Sequence, residues 1–396
     1  NEFFERNARN GPFISKRRYT LNRRGVGNMQ ERLKLSKQVD RINSLVISLD
    51  PQEEERYIEI MNKVIMIDLH EHPLVLTEDM TRLQEYLSVG EYTWGYESAK
   101  TGGWSTVCTA NGFRGNITKR HPSAGDFQLM LEEIGIMFTD INNNHDEVVV
   151  VKNPDEIREA NSLNKLGFFP TVEHLAIGNQ LYLVDVLYSM GIRMAGLTYS
   201  FRTYIGDGCY ERTDTGLSEF GIDVVERMNK LGMIIDLAHA SHQTKLDTIE
   251  YSNKPVIFSH NFAHTLTPVS RSTKDDALLA CANNGGLICI TAVPNQICDG
   301  PEQTIECVLD HYDYMVNLVG IDHVGIGTDT LIGDHVAFAS LNMTGPATPV
   351  APYMDGLESP ADGKNIIRGL IKRGYSDEEI YKIAGNNALS FMKDIL

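Results

Sequence analysis

Val64-Ile65-Met66-Ile67-Asp68-Leu69-His70-Glu71-His72-Pro73 is an apolar, strand-forming run that ends in two histidines one residue apart. In an extended backbone, residues i and i+2 point to the same side. His70 and His72 can therefore aim both imidazoles at one point just past the strand. Neutral imidazole is a ready ligand for zinc and similar metals. A His-x-His pair alone is a weak signal, and two surface-loop histidines read the same way. The place after a buried strand, and the residues that follow the other strands, favour a metal.

From Val64 onward, short apolar runs alternate with longer amphipathic stretches. Strands are expected near 64–69, 148–151, 167–172, 192–198, 232–237, 255–259, 286–291 and 323–327. Helices are expected over 126–140, 154–162, 178–190, 217–231, 241–251, 274–284, 302–319, 362–373 and 376–393, the last with the capping box Ser376-x-x-Glu379. Parallel strands need crossover helices, and strands covered on both faces read as continuous apolar runs. The pattern thus predicts an α/β fold, a (β/α)8 TIM-like barrel, with a doubly wound open sheet as the alternative. Residues 73–125 read as a long insertion after strand one. Its aromatic, glycine-rich tip (Tyr92 to Trp104) suits a lid, an oligomer contact or a packed surface loop. Residues 1–60 are expected to form a basic N-terminal extension and 61–396 the barrel.

The net charge of −17 argues against nucleic acid as a partner. The charge is uneven: residues 1–45 hold eleven Lys/Arg against four Asp/Glu, which leaves −24 for the rest. Lys16-Arg17-Arg18 and Arg23-Arg24 are a solvated tail, or a contact to the acidic body of a second subunit in a homo-oligomer. No apolar run of 18 residues appears, so no transmembrane helix is expected. Asn1-Glu2-Phe3-Phe4-Glu5-Arg6 is not a signal peptide. The expectation is a cytoplasmic protein, or an exported one whose signal peptide has been removed. Six scattered cysteines without a Cys-x-x-Cys pair fit free thiols better than a disulfide framework. Sequons at Asn116 and Asn342 do not decide the compartment.

Six of the eight expected strands are followed by chemistry. Glu173 and His174 follow 167–172, Thr198-Tyr199-Ser200 follow 192–198, and His239, His260 and Asp329 follow the later strands. In a barrel these residues converge on one face with His70 and His72. Singly, each reads as a hydrogen-bonded structural histidine, a rim charge or a helix cap. Together, four imidazoles and one carboxylate suit two divalent metals. Glu173 would bridge ions roughly 3.5–4 Å apart, and a shared water would become the nucleophile. Asp329, if not a ligand, would be the general base that then hands the proton to the leaving amine.

With these residues in place, residues 64–394 resemble the membrane (renal-type) dipeptidase family of metal-dependent amidohydrolases. The family opens Asp-Gly-His-Asn-Asp-Leu-Pro, against Asp68-Leu69-His70-Glu71-His72-Pro73 here. Val172-Glu173-His174 resembles its bridging-glutamate motif. Gly216-Leu217-Ser218-Glu219-Phe220-Gly221 through Leu237-Ala238-His239-Ala240-Ser241, and Pro255-Val256-Ile257-Phe258-Ser259-His260, follow the family closely. The resemblance implies two zinc ions bridged by Glu173 and a hydroxide. One is held by His70, His72 and Glu173, the other by Glu173, His239 and His260. It implies Asp329 as the acid/base and Arg271 as the group that holds the free carboxylate of a dipeptide.

Three positions depart from the family. His72 stands where it usually has Asp, which leaves the site more positive. Tyr199 stands where it usually has a histidine that stabilises the tetrahedral intermediate; a phenol donates one hydrogen bond but carries no charge. The Asp-x-Asp-Gly after strand eight is reduced to Asp329-Thr330-Leu331-Ile332-Gly333. The first expectation is therefore a zinc dipeptidase. The alternatives are an amidohydrolase diverted to another small amide or a specialised metabolite, and a catalytically weak binding or assembly protein.

Overall fold

The computed structural model describes residues 33–112, 126–342 and 351–396. The strands are β1 (Ile67–Asp68), β2 (His72–Val75), β3 (Thr106–Cys108), β4 (Val148–Val150), β5 (Leu166–Phe169), β6 (Thr171–Val172), β7 (Met194–Gly196), β8 (Ile234–Asp236), β9 (Ile257–Asn261), β10 (Leu287–Ile290), β11 (Val324–Ile326) and β12 (Leu331–Ile332). Hydrogen bonding orders them β1-β3-β5-β4 and β11-β10-β9-β8-β7-β6, all parallel. The two sheets join. Leu69 N–H donates to Ile326 O at 2.9 Å, and Asn111 bridges Val172 in parallel. Taking β5 and β6 as one stave bent at Pro170, eight parallel staves close into the expected barrel.

The order of staves differs from the sequence reading in one place. Thr106-Val107-Cys108 is the second stave, paired with β1 on one side and β5 on the other. It lies inside the stretch read as one insertion after strand one; three residues are too short for an apolar-run signal. Val148–Val150 is a strand, but it pairs with the first half of the bent stave while β7 takes the second half. Proline lacks the N–H that would continue one ladder past the bend.

One core cluster fills the barrel with alternate strand residues, among them Ile67, Phe169, Met194, Ile234, Ile257 and Leu287. The helix Asn387–Ile395 packs Leu389, Phe391 and Met392 into the same cluster. A larger cluster lies between the staves and the outer helices. The helix expected over 376–393 opens with its capping box, passes through a π-helical turn at Lys382–Asn386 and continues to Ile395. Gly385 sits in that turn because a Cβ there would lie 2.1 Å from Ile65 O.

Part of the N-terminal extension is strapped to the body. Ser36 N–H donates to Leu76 O, and Ile47 N–H to Asn365 Oδ1 at 3.0 Å. The Lys16–Arg18 and Arg23-Arg24 clusters and the Asn116 sequon lie outside the described residues. The free-thiol expectation fails for one pair. Cys298 and Cys307, with Cα atoms 5.6 Å apart, form a disulfide, while Cys108, Cys209, Cys281 and Cys289 are free. Eight residues lie between the two cysteines, a spacing that matches no short motif.

Candidate metal centre

The sequence places one functional side chain after nearly every stave, and the barrel gathers them at one mouth. Glu173 directly follows β6, His239 comes three residues after β8, His260 lies in β9, and Asp329 comes three residues after β11. His72 opens β2, which pairs with β12 through His72 and Leu331, so its backbone is tied to the segment that carries Asp329. Asp329 adopts φ 54°, a left-handed conformation in which Asp is tolerated, and donates its N–H to His70 O at 2.8 Å. Gly196 permits the close approach of β7 to Glu173, since a Cβ there would lie 2.0 Å from Glu173 O.

Six donor side chains converge. Glu173 Oε1 lies 3.9 Å from His70 Nε2 and 3.4 Å from His239 Nε2, and its Oε2 lies 3.9 Å from His72 Nε2. Asp329 Oδ1 lies 3.6 Å from His70 Nε2 and 3.3 Å from His72 Nε2; its Oδ2 lies 3.9 Å from His260 Nε2. His239 Nε2 and His260 Nε2 are 2.9 Å apart. Two triplets place their donor atoms within 4.8 Å of one another: His70, His72 and Asp329, and His70, Glu173 and His260. His70 is the member common to both triplets, and Glu173 lies within 3.9 Å of His70, His72 and His239. Asp329 stands as close to the imidazoles as Glu173 does, in the convergence expected from the strand ends.

Two buried clamps of one design hold the mouth. Asp68 Oδ1 accepts the N–H of His70 at 3.1 Å and of Thr328 at 3.0 Å, and its Oδ2 accepts the Thr328 hydroxyl at 2.5 Å. Asp236 Oδ1 accepts the N–H of Ala238 and of Ser259, both at 3.0 Å, and its Oδ2 accepts the Ser259 hydroxyl at 2.5 Å. Each aspartate ends its strand, shapes the turn that presents a histidine, and ties that turn to another stave. Ser259 Oγ also lies 2.8 Å from His260 Nδ1. With its own proton on Asp236, the hydroxyl accepts from Nδ1–H, which leaves the Nε2 lone pair facing the site. A sequence signal was present: Ile67-Asp68-Leu69 recurs as Ile235-Asp236-Leu237, and a hydroxyl residue precedes both His260 and Asp329.

Burial and mutual charge set the protonation states. Burial, with help from His72 and Arg271 and against Asp329, pushes His70 down to about 3. Burial likewise drives His239 and His260 well below the usual range, with Arg271 and the other imidazoles adding to it. Burial lifts Glu173 to about 7. His72 goes the other way. Against burial, its bond to Asp329 and the charges of Glu173, Asp329 and Glu71 raise it to about 9. Asp329 stays low despite burial, held there by His72 and His70. A proton on His72 is therefore the positive charge that the two carboxylates attract in the metal-free protein. The buried Nε2 of His70 has no hydrogen-bond partner. Neutral imidazoles, a central carboxylate and a local preference for positive charge fit divalent metal.

Arg271 and Tyr199 also reach this region. Arg271 is 3 % exposed; its guanidinium donates to Ala238 O, next to His239, and to His260 O at 3.0 Å. Tyr199 is buried, its ring centroid 4.3 Å from that of His239. Burial, with Glu173 and Asp329 nearby, raises its pKa well above the ordinary value, so it is a neutral phenol. Sequence reasoning missed His335, which accepts the Leu331 N–H at 3.1 Å and is pushed down to about 4 by burial, Asp329 opposing.

A parallel barrel with imidazoles and carboxylates gathered at the carboxyl ends of its staves has the architecture of the metal-dependent amidohydrolases. The profile described as membrane dipeptidase, peptidase family M19, matches residues 54–395, and the chain belongs to that family. It is 30% identical over 222 residues to dipeptidase tcpJ of Claviceps purpurea, covering 55% of this chain and 48% of that protein. It is 30% identical over 268 residues to dipeptidase verJ of Clonostachys rogersoniana, covering 67% and 64%. The chain thus spans about half to two thirds of the length of these relatives. Among solved structures, an amidohydrolase from Pseudomonas aeruginosa superposes with a TM-score of 0.72 at 26% identity, covering 86% of this chain and 98% of that one.

Proposed function

We propose that this chain is a metallopeptidase that hydrolyses the peptide bond of a dipeptide with a free C-terminal carboxylate, and that its metal is a pair of zinc ions. The observation that carries this reading is the convergence of His70, His72, Glu173, His239, His260 and Asp329 at one barrel mouth. Family membership supports the peptidase class. His70, His72 and Glu173 would hold one ion; Glu173, His239 and His260 the other. Bound there, divalent metal supplies a water of lowered pKa and a polarised carbonyl.

The chain's own residues do the rest. Asp329, ionised and 18% exposed at its side chain, is the group placed to accept a proton from the attacking water and pass it to the leaving amine. Tyr199, held neutral beside His239, is a hydroxyl donor for the developing oxyanion. Arg271 uses two N–H groups on the strand-end carbonyls; a guanidinium has five, which leaves donors for a substrate carboxylate. Residues 61–396 would form the catalytic unit and 1–60 an extension to it. No helix among the described residues is long and apolar enough to cross a membrane.

A second reading, an amidohydrolase diverted to another small amide, is favoured by Arg271, whose guanidinium is largely sequestered, and by Tyr199. One experiment separates the two: zinc-loaded protein with a dipeptide and its C-terminal amide. Cleavage of the free acid alone supports the dipeptidase. Equal cleavage of the amide supports the diverted enzyme, and absence of both with two metals retained refutes the proposal.

A further inference from the structure

Two ties on the loop that carries Arg271 pass through one carbonyl. The loop follows β9, and its neck is closed by bonds from His264 N–H to Thr273 O at 2.8 Å and from Thr273 N–H to Phe262 O at 3.0 Å. Its large apolar residues, Leu266 and Val269, are each 39% exposed, so burial holds its outer part only weakly. Ile297 O, in the loop after β10, accepts the buried Thr267 hydroxyl at 2.7 Å and the His311 Nε2–H at 3.1 Å. His311 Nδ1 accepts the Ala263 N–H at 3.1 Å, which leaves the ring proton on Nε2. Ile297 precedes Cys298, and Cys298 is bonded to Cys307 on the helix Ile305–Val319. Cys307 and His311 stand four residues apart on that helix and so share a face. The disulfide and the His311 bond thus staple residues 297–298 to the helix at two adjacent points. The Arg271 loop is fastened to the same place by the Thr267 hydroxyl and, through the imidazole, by Ala263.

Taking Arg271 as the group that holds the substrate carboxylate, as proposed above, we infer that the Cys298–Cys307 disulfide is a redox-sensitive support of the Arg271 loop. Intact, it keeps the guanidinium aimed at the carboxylate; reduced by a dithiol, it releases that aim and leaves the metal centre in place. Cys298 is buried, but Cys307 is only half-buried, so a dithiol reaches the bridge from the helix side. Reduction breaks the S–S bond: two electrons and two protons pass from the dithiol to the two sulfurs, and the dithiol leaves as its own disulfide. Ile297 O is then held by hydrogen bonds alone, each of modest net strength. Arg271 keeps its bonds to Ala238 O and His260 O, so what loosens is the aim of its spare donors. His260 itself lies within β9 and is fixed by Ser259, apart from this chain of contacts. The substrate is therefore bound best where disulfides persist, in an oxidising compartment.

The test compares native and dithiothreitol-reduced protein, with the reductant removed and zinc reloaded. In protein prepared without reductant, thiols titrated in denaturant should number four before reduction and six after it. The reduced protein should hold as much zinc as the native one. Its KM for a free-acid dipeptide should rise roughly three- to tenfold with kcat little changed, the scale of one weakened hydrogen bond. Its KM for the C-terminal amide, which offers Arg271 no carboxylate, should not move. Cys298→Ser combined with Cys307→Ser should reproduce the shift and abolish the response to dithiol. Thr267→Val should raise KM likewise, and Thr267→Ser, which keeps the hydroxyl, should not. Hydrogen exchange of residues 262–273, followed by mass spectrometry, reads the loop without turnover and should quicken on reduction. Six thiols before reduction, exchange that ignores reduction, a fixed KM despite quickened exchange, or an equal shift with the amide overturns the inference. Quickened exchange in a zinc-loaded protein that cleaves no dipeptide would retain the support of the loop and refute the dipeptidase reading.

Discussion

Replacing Ser259 with alanine removes one hydroxyl that touches three buried groups. Ser259 Oγ donates to Asp236 Oδ2 at 2.5 Å and lies 2.8 Å from His260 Nδ1 and 3.4 Å from His70 Nδ1. Without it, a buried carboxylate oxygen and a buried imidazole N–H each lose a partner, in a region too dense for an easy replacement. Each such loss costs about 1–3 kcal/mol, so the variant is expected to be roughly 2–4 kcal/mol less stable. The more telling effect is on metal. With Nδ1–H no longer fixed, His260 is free to rotate and to change tautomer, and losses of an orienting partner lower metal affinity by about 10–100-fold. Competition of the protein with a chromophoric chelator for zinc measures this directly. Ser259→Thr keeps the hydroxyl and should recover most of the affinity, although its stability suffers from the extra methyl. If Ser259→Ala binds both zinc ions as tightly as the native protein, or if threonine fails to restore affinity where alanine lost it, the clamp does not position His260.

Other outcomes follow from the same geometry. Asp329→Asn should keep both metals and lower kcat by roughly 10²–10⁴-fold; loss of metal on elemental analysis would make Asp329 a ligand, the role its 3.3 Å approach to His72 also allows. Glu173→Gln should reduce bound metal as well as activity, because an amide cannot offer two anionic oxygens; two ions per chain in the variant would contradict the bridge. Since His72 is raised to about 9 in the metal-free protein, its proton must leave before Nε2 can ligate. Apparent zinc affinity should therefore rise about tenfold per pH unit between about pH 7, above which Glu173 is ionised, and about pH 9, and a pH-independent titration over that range would refute this assignment. Glu71→Gln should weaken zinc binding about tenfold, about 1.4 kcal/mol of lost charge interaction, read by the same chelator competition; unchanged affinity would mean that its charge does not reach the site.

The long strand-and-helix rhythm was legible because buried parallel strands are apolar on both faces, and the strand-end histidines because the barrel topology alone makes them converge. What stayed hidden depended on tertiary geometry. Thr106–Cys108 is a stave only because β1 and β5 accept it on either side. Val148–Val150 has the better strand sequence yet lies outside the ring, because the bend at Pro170 divides one stave between two neighbours. The Cys298–Cys307 bridge needed the loop after β10 to fold back on the next helix. The clamps at Asp68 and Asp236 were written twice in the sequence, but a repeated tripeptide acquires meaning only when each aspartate is seen to bond its own turn and a second stave.

The substitution at 72 is better read together with its neighbour. The family pattern Asn-Asp becomes Glu71-His72 here, so the negative charge that leaves the ligand position reappears one residue earlier. Glu71 is fully buried; its Oε2 accepts the Thr330 hydroxyl at 2.6 Å and lies 3.1 Å from Thr328 Oγ1, whose proton is on Asp68, and its Oε1 has no hydrogen-bond partner. Burial, with Asp68 beside it, raises its pKa well above the ordinary value, and its charge in turn raises that of His72. A neutral imidazole brings no charge to a metal pair, and a buried carboxylate with a spare oxygen returns that charge without occupying a coordination position. A divalent ion held by His72 would be a stronger local charge than the proton it displaced, and would pull the Glu71 pKa down toward the ionised form. With metal bound, the exchange would preserve the sum of charges around the mouth and offer a nitrogen where the family has an oxygen. That change favours zinc over magnesium or calcium at the His70–His72 half of the site, because imidazole binds zinc readily and the harder ions prefer oxygen.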